Sequence, residues 1–155
     1  MQIGGHIELN ETPWQAVAHE LFEESGYKLD ELKVLQSTTD RVAETSNVAH
    51  PTPFSMNTHL VGNEHFHSDL CYGFIAEAEP SNNVAAGEAD DLRWMSLEEL
   101  TDGANESTVL KDVVAIYKFL LDHMLQYSPV SAREFSVDKP KVASATYKRG
   151  APGSS

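Results

Sequence analysis

Three glutamates, Glu20, Glu23 and Glu24, are the side chains whose spacing points most directly to chemistry. At about 100° per residue they occupy one arc of a helix, so their carboxylates converge. Like charges at such spacing repel one another and destabilise a bare helix. A divalent cation removes this repulsion, and hard oxygen atoms are the ligands that Mg²⁺ prefers. The spacing therefore indicates a metal site, although three glutamates without their neighbours are also typical of a solvated helix face.

The segment that must position these glutamates carries its own start and stop signals. Thr12 is suited to cap the helix, and Pro13 follows at the first helical position, where its missing N–H costs nothing. Gly26 stands where a left-handed residue ends a helix. These signals predict a helix from Pro13 to Ser25. Apolar side chains are expected on its core side: Trp14, Val17, Ala18, Leu21 and Phe22.

The stretch from Gly5 to Tyr27 resembles the Nudix box. That signature is Gly, five residues, Glu, seven residues, Arg-Glu, an aliphatic, any residue, Glu-Glu, any residue, Gly and an aliphatic. The family's offsets are matched at seven positions: Gly5, Glu11, Glu20, Leu21, Glu23, Glu24 and Gly26. A match of this extent is far more specific than a lone short motif.

Two positions depart from the signature. His19 stands where the family has Arg, which in the family pairs with the residue at the position of Glu11 and orients the loop. Here that pairing must be between His19 and Glu11 or be absent. Tyr27 replaces the last aliphatic residue, and we expect its ring to pack while its hydroxyl stays at the surface.

The resemblance implies the roles of the matched residues. Glu20, Glu23 and Glu24, together with a backbone carbonyl at Gly5 or its neighbour, would hold Mg²⁺, with Mn²⁺ as the expected substitute. The proton of the attacking water would go to Glu23 or to Glu88, the latter in a late loop that resembles the family's. Structural roles in the motif are expected for four residues: Gly5, Glu11, His19 and Gly26.

The fold implied by the resemblance is α/β, an α/β/α sandwich around a mixed sheet. Family members usually have several strands before the box, and almost nothing precedes Gly4 here, so the N-terminal strands are expected to be missing. A sheet without them would expose backbone at its edge, and a homodimer is one arrangement that would cover it.

The activity implied is hydrolysis of a phosphoanhydride bond in a nucleoside diphosphate linked to another group. A catalytically impaired Nudix-like module that binds a nucleotide or regulates is the alternative, because His19 and the short N-terminus both depart from the family.

A second group of chemically capable side chains follows the Gly62-Asn63 turn. His65, His67 and Asp69 alternate along one face of a predicted strand, and His59 lies across the hairpin. We expect this polar face to bind substrate. A zinc site formed by these side chains is the alternative.

Composition limits the partners. The net charge of −13 argues against a nucleic-acid polymer, because binding a polyanion requires clustered Lys and Arg, but it permits a small phosphorylated substrate bridged through cations. Cys71 is the only cysteine and is expected to be buried in a strand. No stretch has the length or apolarity of a membrane span, and a cytoplasmic location is predicted because no signal peptide is recognisable.

The remaining elements are predicted from hydrophobic period and turn residues. Strands are expected at 32–36, 54–61, 65–78 and 92–95, a helical turn at 96–100, and a long helix at 109–127 that packs on the sheet. Composition then shifts to Ser, Ala, Pro, Lys and Gly. Residues 1–127 are therefore predicted to form the hydrolase domain and 128–155 a flexible basic tail.

Overall fold

The computed structural model describes residues 2–38, 48–87, 92–106 and 109–139. Three helices lie among them: α1 (Pro13–Ser25), α2 (Leu97–Asn105) and α3 (Lys111–Asp122). Five strands complete the regular structure: β1 (Leu32–Gln36), β2 (Ser55–Val61), β3 (His65–Cys71), β4 (Phe74–Ala76) and β5 (Ser128–Ser131). Four strands lie between α1 and α2, and β5 follows α3, so helices and strands are interspersed and the fold is of the expected α/β class.

The strands form two sheets, and every pairing in the described ranges is antiparallel. One sheet has the order β4-β1-β5, with the most buried strand, β1, at its centre. The other consists of β2 and β3, joined by a turn at Gly62. The three-stranded sheet is the one on which the core forms.

The core is centred on Trp14, which is fully buried. Its ring stacks on Phe74 and meets Tyr72 and Phe135 edge to face, at centroid distances of 5.5–6.0 Å. The indole Nε1–H donates to the carbonyl of Phe135 at 3.2 Å. Helix α1 is therefore fixed to the sheet by one aromatic cluster near its first turn.

The predicted boundary at residue 127 was wrong. Residues 128–131 form β5 and pair with β1 from Lys33↔Ser131 to Gln36↔Ser128. Ala132 and Phe135 then enter the core. The composition of this stretch is that of a tail, but a short strand at a sheet edge tolerates Pro129 because an edge residue does not need both of its ladder bonds.

Two further predictions about strands were wrong. The run 65–78 divides into β3 and β4, which belong to different sheets and flank Gly73. The break occurs where a Cβ on Gly73 would lie 2.7 Å from Leu120, so the chain bends beneath α3. Residues 92–95 form no strand, because they pair with no other strand among the described residues, and Trp94 is 73% exposed.

Helix α3 is shorter than the predicted 109–127. It ends at Asp122 and is followed by a 3₁₀ turn at Met124–Gln126. It lies against α2, and the ring of Phe119 stacks on Phe54 at 6.5 Å. Within the described residues, no helix combines the length and the apolarity that crossing a bilayer would require.

Candidate functional site

Helix α1 presents the candidate site, and its ends are fixed by local hydrogen bonds. The Thr12 hydroxyl accepts from the Gln15 N–H at 3.2 Å, and the Gln15 side chain accepts from the Thr12 N–H at 2.9 Å. At the other end Gly26 is left-handed, with φ 76°, and its N–H donates to the Phe22 carbonyl. Both ends lie where the sequence predicts them, so the register of the three glutamates on the helix is set locally.

Two of the three glutamates meet the glycine loop that precedes the helix. The Gly4 N–H donates to Glu24 Oε2 at 2.8 Å. A Cβ on Gly5 would overlap the carboxylate of Glu20, so only a glycine leaves room for that side chain. The loop therefore lies directly against the carboxylates of Glu20 and Glu24.

The third glutamate is engaged by the residue that departs from the signature. His19 Nε2 lies 3.0 Å from Glu23 Oε1, and His19 Nδ1 lies 3.7 Å from Glu11 Oε1. The hydrogen bond to Glu23 is the main cause of a raised pKa at His19, and the nearby charges of Glu23, Glu11 and Glu20 raise it further. His19 thus links Glu11 to Glu23, and only the contact with Glu11 was anticipated from the sequence.

Glu11 also orders the loop that leads into the helix. Its Oε2 accepts from the Glu8 N–H at 3.0 Å, while its own N–H donates to the Glu8 carbonyl. Asn10 lies within this turn with φ 67°. The Glu11 carboxylate therefore holds the turn and also lies 3.7 Å from the ring of His19.

A second loop packs against the C-terminal end of α1. The Ala85 N–H donates to the Glu23 carbonyl at 2.8 Å. A Cβ on Gly26 would overlap the Asn82 carbonyl, so a glycine is required there for space as well as for its conformation. Glu88, predicted as an alternative base, follows Ala85 by three positions and lies outside the described residues.

Two side chains near this helix differ from expectation. The ring of Tyr27 is buried, as predicted, but its hydroxyl donates to the Ala78 carbonyl at 2.7 Å instead of remaining at the surface, and burial raises its pKa. Phe22 is 41% exposed and lies outside the core cluster, although its neighbours Leu21 and Tyr27 belong to it.

The predicted histidine face forms on the hairpin. His65, His67 and Asp69 alternate on one face of β3, and His59 lies directly opposite His67. His59 Nδ1 is 3.0 Å from Asp69 Oδ2. The ring of His6, next to Gly5 in the chain, meets that of His67 at a centroid distance of 5.0 Å. His6 was missed because nothing in its local sequence indicates contact with a strand sixty residues later.

The residue types at the glycine loop are those that bind a hard cation such as Mg²⁺. The oxygen donors are the carboxylates of Glu20 and Glu24, and the Glu20 carboxylate occupies the space that a Cβ on Gly5 would fill. In the described part of the chain, no three His, Cys, Asp or Glu side chains are already arranged to hold a metal ion. Glu23 would have to turn from His19 to join the other two.

Comparison with known proteins gives two matches. The model of the NUDIX domain family matches residues 3–114. A crystal structure of a NUDIX-family hydrolase from Clostridium perfringens resembles this chain with a TM-score of 0.56 and 21% identity, covering 77% of this chain and 78% of that one. A search of curated proteins found no match.

Proposed function

We propose that this chain, which belongs to the NUDIX domain family, is a Mg²⁺-dependent hydrolase that cleaves the phosphoanhydride bond of a nucleoside diphosphate linked to another group. The observation that supports this most is the placement of Glu20 and Glu24 against the loop Gly4-Gly5, since it brings hard oxygen donors from the second half of the signature helix into contact with that loop. The net charge of −13 favours a small substrate bridged by cations over a nucleic-acid polymer.

In this proposal, Glu20, Glu23 and Glu24 hold the cation with help from a backbone carbonyl of Gly5. When bound, Mg²⁺ supplies Lewis-acid polarisation of the phosphoryl group and offsets its negative charge. Mn²⁺, which also accepts oxygen ligands, is the expected substitute.

Glu23 is the proposed general base. It would accept a proton from the attacking water at a carboxylate oxygen, and the products are two phosphorylated or nucleotide fragments. The contact with His19 Nε2 would break as Glu23 turns toward the loop, and this turn would make the carboxylate available to the metal and to the water. Glu88 is the alternative base, because the bond from the Ala85 N–H brings the preceding loop to Glu23.

The hairpin face of His65, His67 and Asp69 is proposed to contact the substrate. The support is the contact between His67 and His6, which adjoins Gly5 and so connects this face to the glycine loop. A cytoplasmic location, the absence of a membrane partner and homodimer formation stay predictions.

The test is metal-dependent turnover. The purified protein is incubated with Mg²⁺ and nucleotide sugars, dinucleoside polyphosphates or oxidised nucleoside triphosphates, and phosphorylated products are followed. Glu23→Gln is expected to abolish turnover. Glu98→Gln, the same change on an exposed residue of α2, is expected to leave it unchanged. Equal activity in the two variants would refute the role of Glu23.

A nucleotide-binding module without turnover is the second candidate. The contact of Glu23 with His19 favours it, because that carboxylate is turned away from the loop that Glu20 and Glu24 contact. Saturable nucleotide binding without hydrolysis in the same assay would establish this function instead.

A further inference from the structure

Four histidines meet on one face of the β2–β3 hairpin and the loop beside it. The strand register places His59 opposite His67, and His65 is two residues from His67 on the same face. His6 approaches from the glycine loop. Four of the seven histidines of the chain therefore meet here, although they come from three separate segments of the sequence.

The rings surround His67 at a characteristic spacing. Its centroid lies 5.0 Å from that of His6, 5.2 Å from that of His65 and 5.6 Å from that of His59. Two imidazoles that share a tetrahedral Zn²⁺ with Zn–N bonds of about 2.0–2.1 Å have centroids roughly 5 Å apart. Each of these three separations is therefore near the value for two rings on one ion, with His67 as the common member.

An independent observation concerns the carboxylate of Asp69. Its Oδ2 lies 3.0 Å from His59 Nδ1, so Nε2 is the ring nitrogen left for a metal ion. Histidines that bind metal almost always give their second nitrogen to a carboxylate, a carbonyl or water, which fixes the ring and its tautomer. Asp69 stands in this relation to His59.

The geometry points to a second cation site: we propose that His59, His65 and His67 bind one Zn²⁺ or Ni²⁺ ion, with His6 as a fourth ligand and Asp69 orienting His59. Imidazole nitrogens suit these ions, whereas Mg²⁺ takes oxygen ligands. The ligating atoms of no such group yet converge within the described residues. The exposed His65 can reach convergence by rotating between side-chain rotamers while Asp69 keeps His59 in place, because the backbone register already aligns both with His67.

This site is separate from the carboxylates of α1 and does not depend on the proposed hydrolysis. The two are connected by the loop in which His6 follows Gly5, and by the substrate contact proposed above for the hairpin face. Binding of Zn²⁺ is therefore measured directly, by isothermal titration in excess Mg²⁺ that competes for the carboxylates, and its failure would leave the function of Glu23 untouched.

The expected result is saturable 1:1 binding of Zn²⁺ that His67→Ala weakens by about 100-fold and Asp69→Asn by about 10-fold. His123→Ala is the matched control, since His123 lies at the end of α3 and stacks on Phe119. Bound Co²⁺ should show the visible absorption of a tetrahedral nitrogen site, and His67→Ala should remove it.

Three results would overturn the proposal. They are absence of saturable binding, binding by His67→Ala as tight as that of the unaltered chain, and equal loss in His123→Ala. Circular dichroism without metal checks that each variant is folded. His65→Ala, at the exposed start of β3, must reproduce the loss seen with His67→Ala, so a folding defect at the more buried position does not decide the outcome.

Discussion

Replacing Gly5 with Ala is expected to disturb the candidate site while leaving the fold intact. The added Cβ would overlap the carboxyl carbon and both oxygens of Glu20, which is the far end of a flexible side chain. Gly5 is not among the glycines with positive φ, so the alanine causes no backbone strain of the left-handed kind. The carboxylate of Glu20 must therefore move while the backbone stays in place.

The two consequences differ in size. Turning the Glu20 side chain off its preferred rotamer costs about 0.5–1.5 kcal/mol. A displacement of about 1 Å at a catalytic group lowers turnover on the order of 100-fold. That factor corresponds to about 2.7 kcal/mol in the activation barrier. Activity should therefore fall far more than stability, and the rise in melting temperature expected on binding of Mg²⁺ should be smaller than for the unaltered chain.

The measurement pairs kcat/KM at saturating Mg²⁺ with thermal unfolding, with Gly62→Ala as the control. Gly62 has φ 62° and no neighbour within 4 Å of a Cβ, so the control strains the hairpin turn by about 1–2 kcal/mol without touching the site. The control should lose stability and keep its activity. Unaltered activity and Mg²⁺ response in Gly5→Ala would refute the reasoning.

Three other predictions concern the scaffold. Trp14→Phe removes the N–H that satisfies the buried Phe135 carbonyl, and denaturant titration should show about 1–3 kcal/mol less stability, with Trp14→Ala losing about 3–5 kcal/mol. A chain ending at Tyr127 lacks β5 and the core ring of Phe135, and it should show no cooperative thermal transition, whereas a chain ending at 139 should. Glu31 has a lowered pKa, chiefly because it accepts from the Lys28 N–H. Its stabilising effect is therefore present above the ordinary glutamate pKa and lost as the pH falls through the lowered value; Glu31→Gln should be less stable at neutral pH and equal in acid.

Helix α1 was predicted to the residue because its limits are encoded locally. Thr12, Pro13 and Gly26 act on the backbone within a few positions. Thr12 caps the first turn, Pro13 begins the helix, and Gly26 adopts the left-handed conformation that ends it. The hairpin was predicted for the same reason, through Gly62.

The errors lie where distant residues decide the structure. Strand β5 exists because β1 offers a sheet edge about ninety residues earlier, and no local feature of 128–131 shows this. The break at Gly73 depends on Leu120 above it. The run containing Trp94 has the composition of a strand but has no partner among the described residues.

In the candidate site, too, local features can be predicted from the sequence but long-range contacts cannot. The spacing of Glu20, Glu23 and Glu24 places them on one arc, but it does not determine their contacts. The turn of Glu23 toward His19 depends on which side chain replaces the family's Arg, and the contact of His6 with His67 depends on how the glycine loop crosses the hairpin. The chemical types of the site residues can be predicted from the sequence, but tertiary packing decides which of them meet.

The bond between Trp14 and Phe135 spans 121 residues. During synthesis on the ribosome, which proceeds from the N-terminus, α1 emerges long before the ring and carbonyl that complete its aromatic pocket. The indole of Trp14 therefore lacks its contacts with Phe135 until nearly all of the domain has left the exit tunnel. Contacts of this sequence separation slow folding and prolong the exposure of apolar surface. The newly made chain is therefore expected to be a client of chaperones that shield apolar segments until β5 arrives.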